Sequence, residues 1–201
     1  GIGKLLGIMA LEKGAECLIV WDIDRNAMQV IKEQCGQRDL KCHTYCVDLS
    51  KTGEIEHHAQ QVKEEVGAVD ILFNNAGIVT GKPFVNQNFR DIHKTLAINI
   101  EAVMVTANAF LGAMISRGAG HIINISSASS LMGNPNMSVY AGSKWAVTGW
   151  SESLRLEMEG SQTGVKVTTV QPSYIDTGMF EGVKAPLLTP LLKPETIARK
   201  I

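Results

Sequence analysis

The chain has 201 residues and a mass of 21.8 kDa, a length that points to one domain rather than two. Hydrophobic residues make up 45% and charged residues 19%, enough apolar material for a substantial core and too much for a mainly disordered chain. Lys and Arg total 19 against 20 Asp and Glu, so no basic excess exists to neutralise a phosphate backbone, which argues against a nucleic-acid partner.

Apolar positions at helical spacing begin at once with Ile2, Leu5, Leu6 and Met9, which predicts a helix over residues 2–13 stopped by Gly14. No leader sequence is expected ahead of that helix. A short apolar run over 17–23 reads as a buried parallel strand, residues 26–34 as a helix and 41–47 as a second strand. A polar-faced helix is predicted over 54–66, then a strand over 69–76 that runs into Asn74-Asn75-Ala76-Gly77. A long helical stretch covers about 91–116, and 120–127 is a strand opening into a serine-rich loop. The last clear elements are a helix over 138–158 and a strand over 165–171. An irregular apolar segment, 175–192, follows Pro172 and is punctuated by prolines. The longest apolar runs of the chain, such as 17–21 and 109–115, are far too short for a bilayer span. The four cysteines cluster between Cys17 and Cys46 with no zinc-ligand spacing, so they read as buried thiols in a reducing compartment and no metal is expected.

Strands alternating with helices imply right-handed crossovers and a doubly wound parallel sheet covered on both faces, in one domain over 1–201. The glycine turn Gly1-Ile2-Gly3 enters a helix with no strand ahead of it, although a dinucleotide fingerprint needs one. In the usual order that strand lies between those predicted over 17–23 and 69–76, so a gap is expected there. No final strand is expected either, and the chain reads as part of a longer protein.

Four features carry chemistry. Glycines at a helix start let backbone N–H groups approach a pyrophosphate. A P-loop is excluded, because Leu5 follows Gly3-Lys4 where a P-loop needs Ser or Thr to reach magnesium. Asp22 lies 19 residues after Gly3, at a strand end, where a carboxylate accepts hydrogen bonds from adenosine ribose hydroxyls and repels a 2′-phosphate. That favours NAD over NADP, with nearby Arg25 keeping NADP open. Tyr140 and Lys144 are four apart and share a helix face, so an ammonium about 4 Å away would bring the phenol towards neutral pH. Ser127 stands 13 residues before Tyr140 at the carboxyl end of a strand, where ligands of open α/β sheets bind. Ser129 and Ser130 read as loop residues.

Taken in order, Gly1-Ile2-Gly3, Asn74-Asn75-Ala76-Gly77, Asn99, Ser127, Tyr140-Ala141-Gly142-Ser143-Lys144 and Pro172 resemble the short-chain dehydrogenase/reductase family over nearly the whole chain. The opening Thr-Gly of its glycine motif is absent, and its Pro-Gly after the sixth strand is Pro172-Ser173 here. The resemblance implies a catalytic tetrad of Asn99, Ser127, Tyr140 and Lys144. Tyr140 would be the acid/base, Ser127 would position the substrate oxygen, and Lys144 would bind nicotinamide-ribose hydroxyls. Asn99 would hold a water in the proton relay. Gly1, Ile2, Gly3, Asp22, Asp48, Leu49, Asn75, Ala76, Gly77, Pro172, Ile175 and Thr177 would line the cofactor cleft, with Asp48 at the adenine.

Thr177-Gly178-Met179-Phe180 and Leu192-Lys193-Pro194-Glu195 resemble the retinol and hydroxysteroid dehydrogenase branch. That implies an apolar alcohol or carbonyl substrate, covered by Met179, Phe180, Val183, Leu187, Leu188, Leu191 and Leu192. The helix that bears Tyr140 resembles the family's usual dimer helix, which implies a homodimer. Placement is expected to be cytoplasmic, or peripheral to a membrane through an anchor ahead of the glycine motif. A non-catalytic dinucleotide-binding regulator is the competing class, since fold alone never proves function. The Tyr140–Lys144 pair argues against it, and the short segment after Thr177 argues against an epimerase or dehydratase.

Overall fold

The computed structural model describes residues 1–178 and 191–201. Helix α1 (Ile2–Glu12) leads into strand β1 (Cys17–Asp22), helix α2 (Arg25–Gly36), β2 (Lys41–Cys46), α3 (Thr52–Glu65) and β3 (Ile71–Asn74). The next helical path is α4 (Phe89–Leu96), a π-helical turn (Ala97–Glu101) and α5 (Ala102–Arg117). Strand β4 (Gly120–Ile125), helix α6 (Ser138–Gly160), β5 (Val165–Val170) and the short α7 (Pro194–Ala198) complete the order. The element types follow the predicted ones, with the strand ends over 69–76 and 120–127 unwinding two residues early into site loops. The predicted helix over 91–116 is interrupted, because residues 97–101 widen into the π turn that carries Asn99.

Local chemistry sets the helix ends. Asp24 caps α2 by accepting from the backbone N–H groups of Asn26 and Ala27 at 2.9 and 3.0 Å. Asn88 caps α4 through Asp91 N–H at 2.8 Å, and Gly118 closes α5 in the left-handed region at φ 68°.

All pairings among the described strands are parallel, in two pieces: β1–β2, and β3–β4–β5. Among the described residues no strand joins β1 to β3. The expected gap therefore lies between those strands, and the residues flanking it are mostly half-buried or exposed, Asn74 at the end of β3 excepted. Cys17 to Trp21 are all half-buried, and Ile71 is 49% exposed.

What unites the two pieces is side-chain packing on both faces, set by strand alternation. Ile122, Val165 and Val167 face Val62, Phe110, Met114 and Leu154, with Ile19 and Trp21 of β1 and Tyr45 of β2 packed against that cluster. Ile123 and Ile125 point the other way, to Ile2, Ile175 and Ile197, while Leu18 and Val20 reach Leu11 and Ile31. Helices α3, α5 and α6 thus cover one face and α1, α2 and α7 the other. Phe89–Arg117 is a continuous helical path long and apolar enough to cross a membrane by length and composition, beyond what the short apolar runs suggest. Here Val103, Ala107, Phe110 and Met114 bury one side of it in the core.

Candidate active site

The strands deliver their polar residues to one end. Asp22, Asp48, Asn75, Ser127 and Pro172 all lie at or just beyond the carboxyl ends of β1 to β5, and Asn75 lies against Gly3 at the N-terminus of α1. That N-terminus has Gly1 as its cap residue, no side-chain cap and no acidic residue in its first turn, so its leading N–H groups are not committed to a side chain. A Cβ on Gly1 would meet nothing within 4 Å, whereas one on Gly3 would lie 2.6 Å from Asn75 Nδ2. Glycine at position 3 lets the loop after β3 close on the helix start, whose uncommitted N–H groups and positive dipole end fit a dinucleotide pyrophosphate.

Helix α6 begins at Ser138, which places Tyr140 and Lys144 in its first two turns, and both are about 95% buried. Lys144 Nζ donates to the Ile125 carbonyl at the end of β4, at 2.8 Å, and sits 5.8 Å over the Tyr140 ring. A Cβ on Gly77 would stand in ordinary contact with Lys144 Nζ at 3.5 Å and Asn99 Oδ1 at 3.4 Å, which places this loop beside both. Ser127 Oγ accepts from Ser129 N–H at 3.1 Å and is hydrogen-bonded to the Tyr140 phenol.

The electrostatics differ from the sequence expectation. Burial pushes the Tyr140 phenol above its ordinary value, the Ser127 hydrogen bond pulls it back down, and nearby Tyr174 adds to the rise. Burial also pushes the Lys144 ammonium down to about 8. The lysine was expected to dominate the phenol. Desolvation is the leading cause at both groups, raising the phenol and lowering the ammonium.

Asn99 is fully buried, and its side chain is engaged on both sides. Oδ1 accepts from Ile78 N–H at 2.9 Å, while Nδ2 donates to the Ile78 carbonyl at 2.9 Å and to Ser143 Oγ at 3.0 Å. Ser143 Oγ in turn donates to the Tyr140 carbonyl at 2.6 Å. The amide therefore ties the loop after Gly77 to the first turn of α6 and has little capacity left for a water.

The structure brings together Gly3, Asn75, Gly77, Asn99, Ser127, Tyr140 and Lys144. Other expected residues keep local partners. Asp22 Oδ1 accepts from Asp24 N–H at 3.0 Å in an exposed turn. Asp48 accepts from Ser50 N–H and Oγ at 3.0 and 2.6 Å, which holds its carboxyl below the ordinary range. Leu49 is half-buried beside it and Ala76 is exposed. The Pro172 carbonyl accepts from Ala128 N–H at 2.8 Å. Ile175 is buried against Ile2 and bridges to Leu192, and Thr177 N–H donates to the Ile175 carbonyl at 2.9 Å. Met179, Phe180, Val183, Leu187 and Leu188 lie outside the described residues. Sequence reasoning missed Ser143, Ser130 and Gln171. The signal for Gln171 was an amide between an apolar strand and a proline; Ser143 was legible only as part of the Tyr140–Lys144 motif.

Residues 1–187 match the family model described as short chain dehydrogenase. Epidermal retinol dehydrogenase 2 of Mus musculus is 41% identical, over 100% of this chain and 66% of the relative. Estradiol 17-beta-dehydrogenase 11 of Homo sapiens is 35% identical, over 100% and 67% respectively. Retinol dehydrogenase 10-B of Danio rerio is 33% identical, over 97% and 65%. The chain thus spans about two thirds of the length of these curated relatives. Among solved structures, a metagenomic short-chain oxidoreductase in complex with NADP superposes with a TM-score of 0.84 at 25% identity, covering 100% of this chain and 84% of that one. A gluconate 5-dehydrogenase from Burkholderia cenocepacia J2315, in complex with NADP and tartrate, does so at 0.88 and 23%, covering 100% and 82%, and supports the fold. With its parallel sheet, its glycine-led first helix and its buried Tyr140–Lys144 pair beside Ser127, the chain belongs to the short-chain dehydrogenase family.

Proposed function

We propose that the protein is an NAD(P)-dependent alcohol dehydrogenase/carbonyl reductase in which Tyr140 is the acid/base. The observation that carries this reading is the convergence of a buried phenol, a buried ammonium and the Ser127 hydroxyl at the carboxyl ends of the strands. A protein that only binds a dinucleotide has no use for two buried ionisable groups there, and burying them costs stability.

The bound nicotinamide dinucleotide supplies hydride donation and acceptance. The chain's own residues do the rest. The Ser127 hydroxyl holds the substrate oxygen against the Tyr140 phenol, which gives its proton to a carbonyl oxygen in reduction and takes one from an alcohol in oxidation. Lys144 offers ammonium donors beside that proton path and would hold ribose hydroxyls. Asn99, through Ser143, fixes the backbone of Tyr140. Gly1, Ile2 and Gly3 at the start of α1, with Asn75 and Gly77, would seat the dinucleotide. Asp22 would favour NAD, since its exposed carboxylate repels a 2′-phosphate.

The substrate class is an apolar alcohol or carbonyl, retinoid-, steroid- or lipid-like. Relatives named retinol and estradiol 17-beta dehydrogenases support this class. A homodimer is supported by Trp145 and Leu156, which stand 53% and 55% exposed on α6. Placement in the cytoplasm, or at a membrane periphery, belongs to the same reading, as does one domain over residues 1–201. The test is nicotinamide-linked oxidation of a panel of apolar alcohols. Tyr140→Phe is expected to abolish turnover while cofactor affinity stays within about threefold, because only the proton donor is lost. Retained turnover removes Tyr140 from the chemistry.

A further inference from the structure

Gln171 sits just past the end of β5, between two extensions of the β4–β5 ladder: Ser126 N–H donates to Val170 O and Ala128 N–H to Pro172 O, both at 2.8 Å. Its side-chain amide is a fork. Nε2 donates to Ser130 Oγ at 2.8 Å and, more weakly, to Thr148 Oγ1 at 3.5 Å. Each hydroxyl passes the chain on. Ser130 Oγ donates to the Ser127 carbonyl at 2.7 Å. Thr148 is 2.9 Å from Ser126 Oγ, which donates to the Lys144 carbonyl at 3.0 Å. A hydroxyl has one proton, so Ser126, having given its own to Lys144 O, must accept from Thr148. Every donor then points away from Gln171, along two branches that end on the backbones of Ser127 and Lys144. Chains of aligned donors strengthen one another where water is partly excluded, as it is here.

We propose that Gln171 is a positioning residue of the reaction, setting the distance between the Ser127 loop and helix α6 and hence the register of Ser127 against Tyr140. It touches neither substrate nor cofactor, and acts through Ser130 and Thr148. The role rests on the oxidoreductase reading of the site.

The experiment compares wild type, Gln171→Leu, Ser130→Ala and the double variant in the full-length enzyme, with the pH dependence of alcohol oxidation as the deciding readout. Gln171→Leu keeps the volume and removes both donors. Expected are a kcat lowered ~10- to 100-fold and a cofactor KM changed less than ~2-fold, the scale of a sub-ångström misplacement of reacting groups. The Ser127 hydrogen bond is what lowers the Tyr140 phenol, so loosening it should move the rising limb of the oxidation profile to higher pH. A merely structural role would lower melting temperature and leave that limb in place. The double variant should be no worse than the more impaired single one, because both break the same branch. Unchanged kcat and limb in a folded Gln171→Leu overturn the proposal. If that variant does not fold, an unmoved limb in Ser130→Ala overturns it. Failure of the underlying reading looks different: wild type itself would show no turnover that Tyr140→Phe removes, and the positioning role falls with it.

Discussion

Lys144 gives the sharpest physical test, because its burial has a sign that can be read without any substrate. The ammonium is 5% exposed and its pKa is moved by burial from the ordinary 10.5 to about 8. The folded protein releases this proton near pH 8, whereas the unfolded chain holds it to about 10.5. Between those values the unfolded state binds more protons, so folding stability must rise with pH across the window. At 1.36 kcal/mol per pH unit, the whole rise is about 3 kcal/mol. Tyr140 works the other way: its raised phenol pKa contributes stability below about pH 10 that is lost above it. Comparing wild type with Lys144→Met cancels that contribution to first order, since the tyrosine is present in both. Urea denaturation without nucleotide, at steps from pH 7 to pH 10, measures the difference. Wild type should gain on Lys144→Met as pH rises, by ~1 M or more in midpoint at typical urea slopes. Parallel profiles would refute the claim that the ammonium is held desolvated.

Three further outcomes follow from the same geometry. Gly164→Ala should destabilise by about 3 kcal/mol or more in chemical denaturation, since position 164 has φ 75° and a Cβ there would lie 2.0 Å from the Gly118 carbonyl oxygen. Gly3→Ala should leave stability within about 1 kcal/mol, because helix propensity offsets the displaced Asn75, yet weaken dinucleotide binding ~10-fold by titration calorimetry. Asp22→Ala should narrow the NAD-to-NADP ratio of kcat/KM at least ~10-fold, and an unchanged ratio removes Asp22 as the selector.

The fold was legible because apolar alternation and helical spacing are local signals. Ile122 and Ile123 point to opposite clusters as their neighbouring positions on a strand require. The glycine turn, the strand-end carboxylate and the Tyr140–Lys144 spacing were legible for the same reason. What the spacing hid was three-dimensional. The π turn at Ala97–Glu101 has no periodic signature in so apolar a stretch, and it was read as unbroken helix. The partners of the Asn99 side chain lie 21 and 44 residues away, so its role as a tether has no local signature. Burial, which no spacing reveals, raises the phenol and lowers the ammonium.

The arrangement explains where positional accuracy at the site comes from. Ladder hydrogen bonds fix β3, β4 and β5 relative to one another and β1 to β2, but none joins the two pieces among the described residues, and none fixes helix to strand. The buried polar side chains concentrate where that is needed. Asn74 Nδ2 donates to Asn124 Oδ1 and Asn124 Nδ2 to Ser151 Oγ, each at 2.8 Å, joining β3 and β4 to the middle of α6. Lys144 ties the same helix to the end of β4, Asn99 and Ser143 tie it to the loop after β3, and Gln171 ties it to the loop of Ser127. Each bond contributes only about 1 kcal/mol net, but an unsatisfied partner in this interior costs as much or more. The network therefore behaves as a unit that tolerates one geometry. Such a site should be insensitive to changes at exposed Trp145 or Leu156 within one subunit, and sensitive to loss of any one of the three amides at positions 99, 124 and 171.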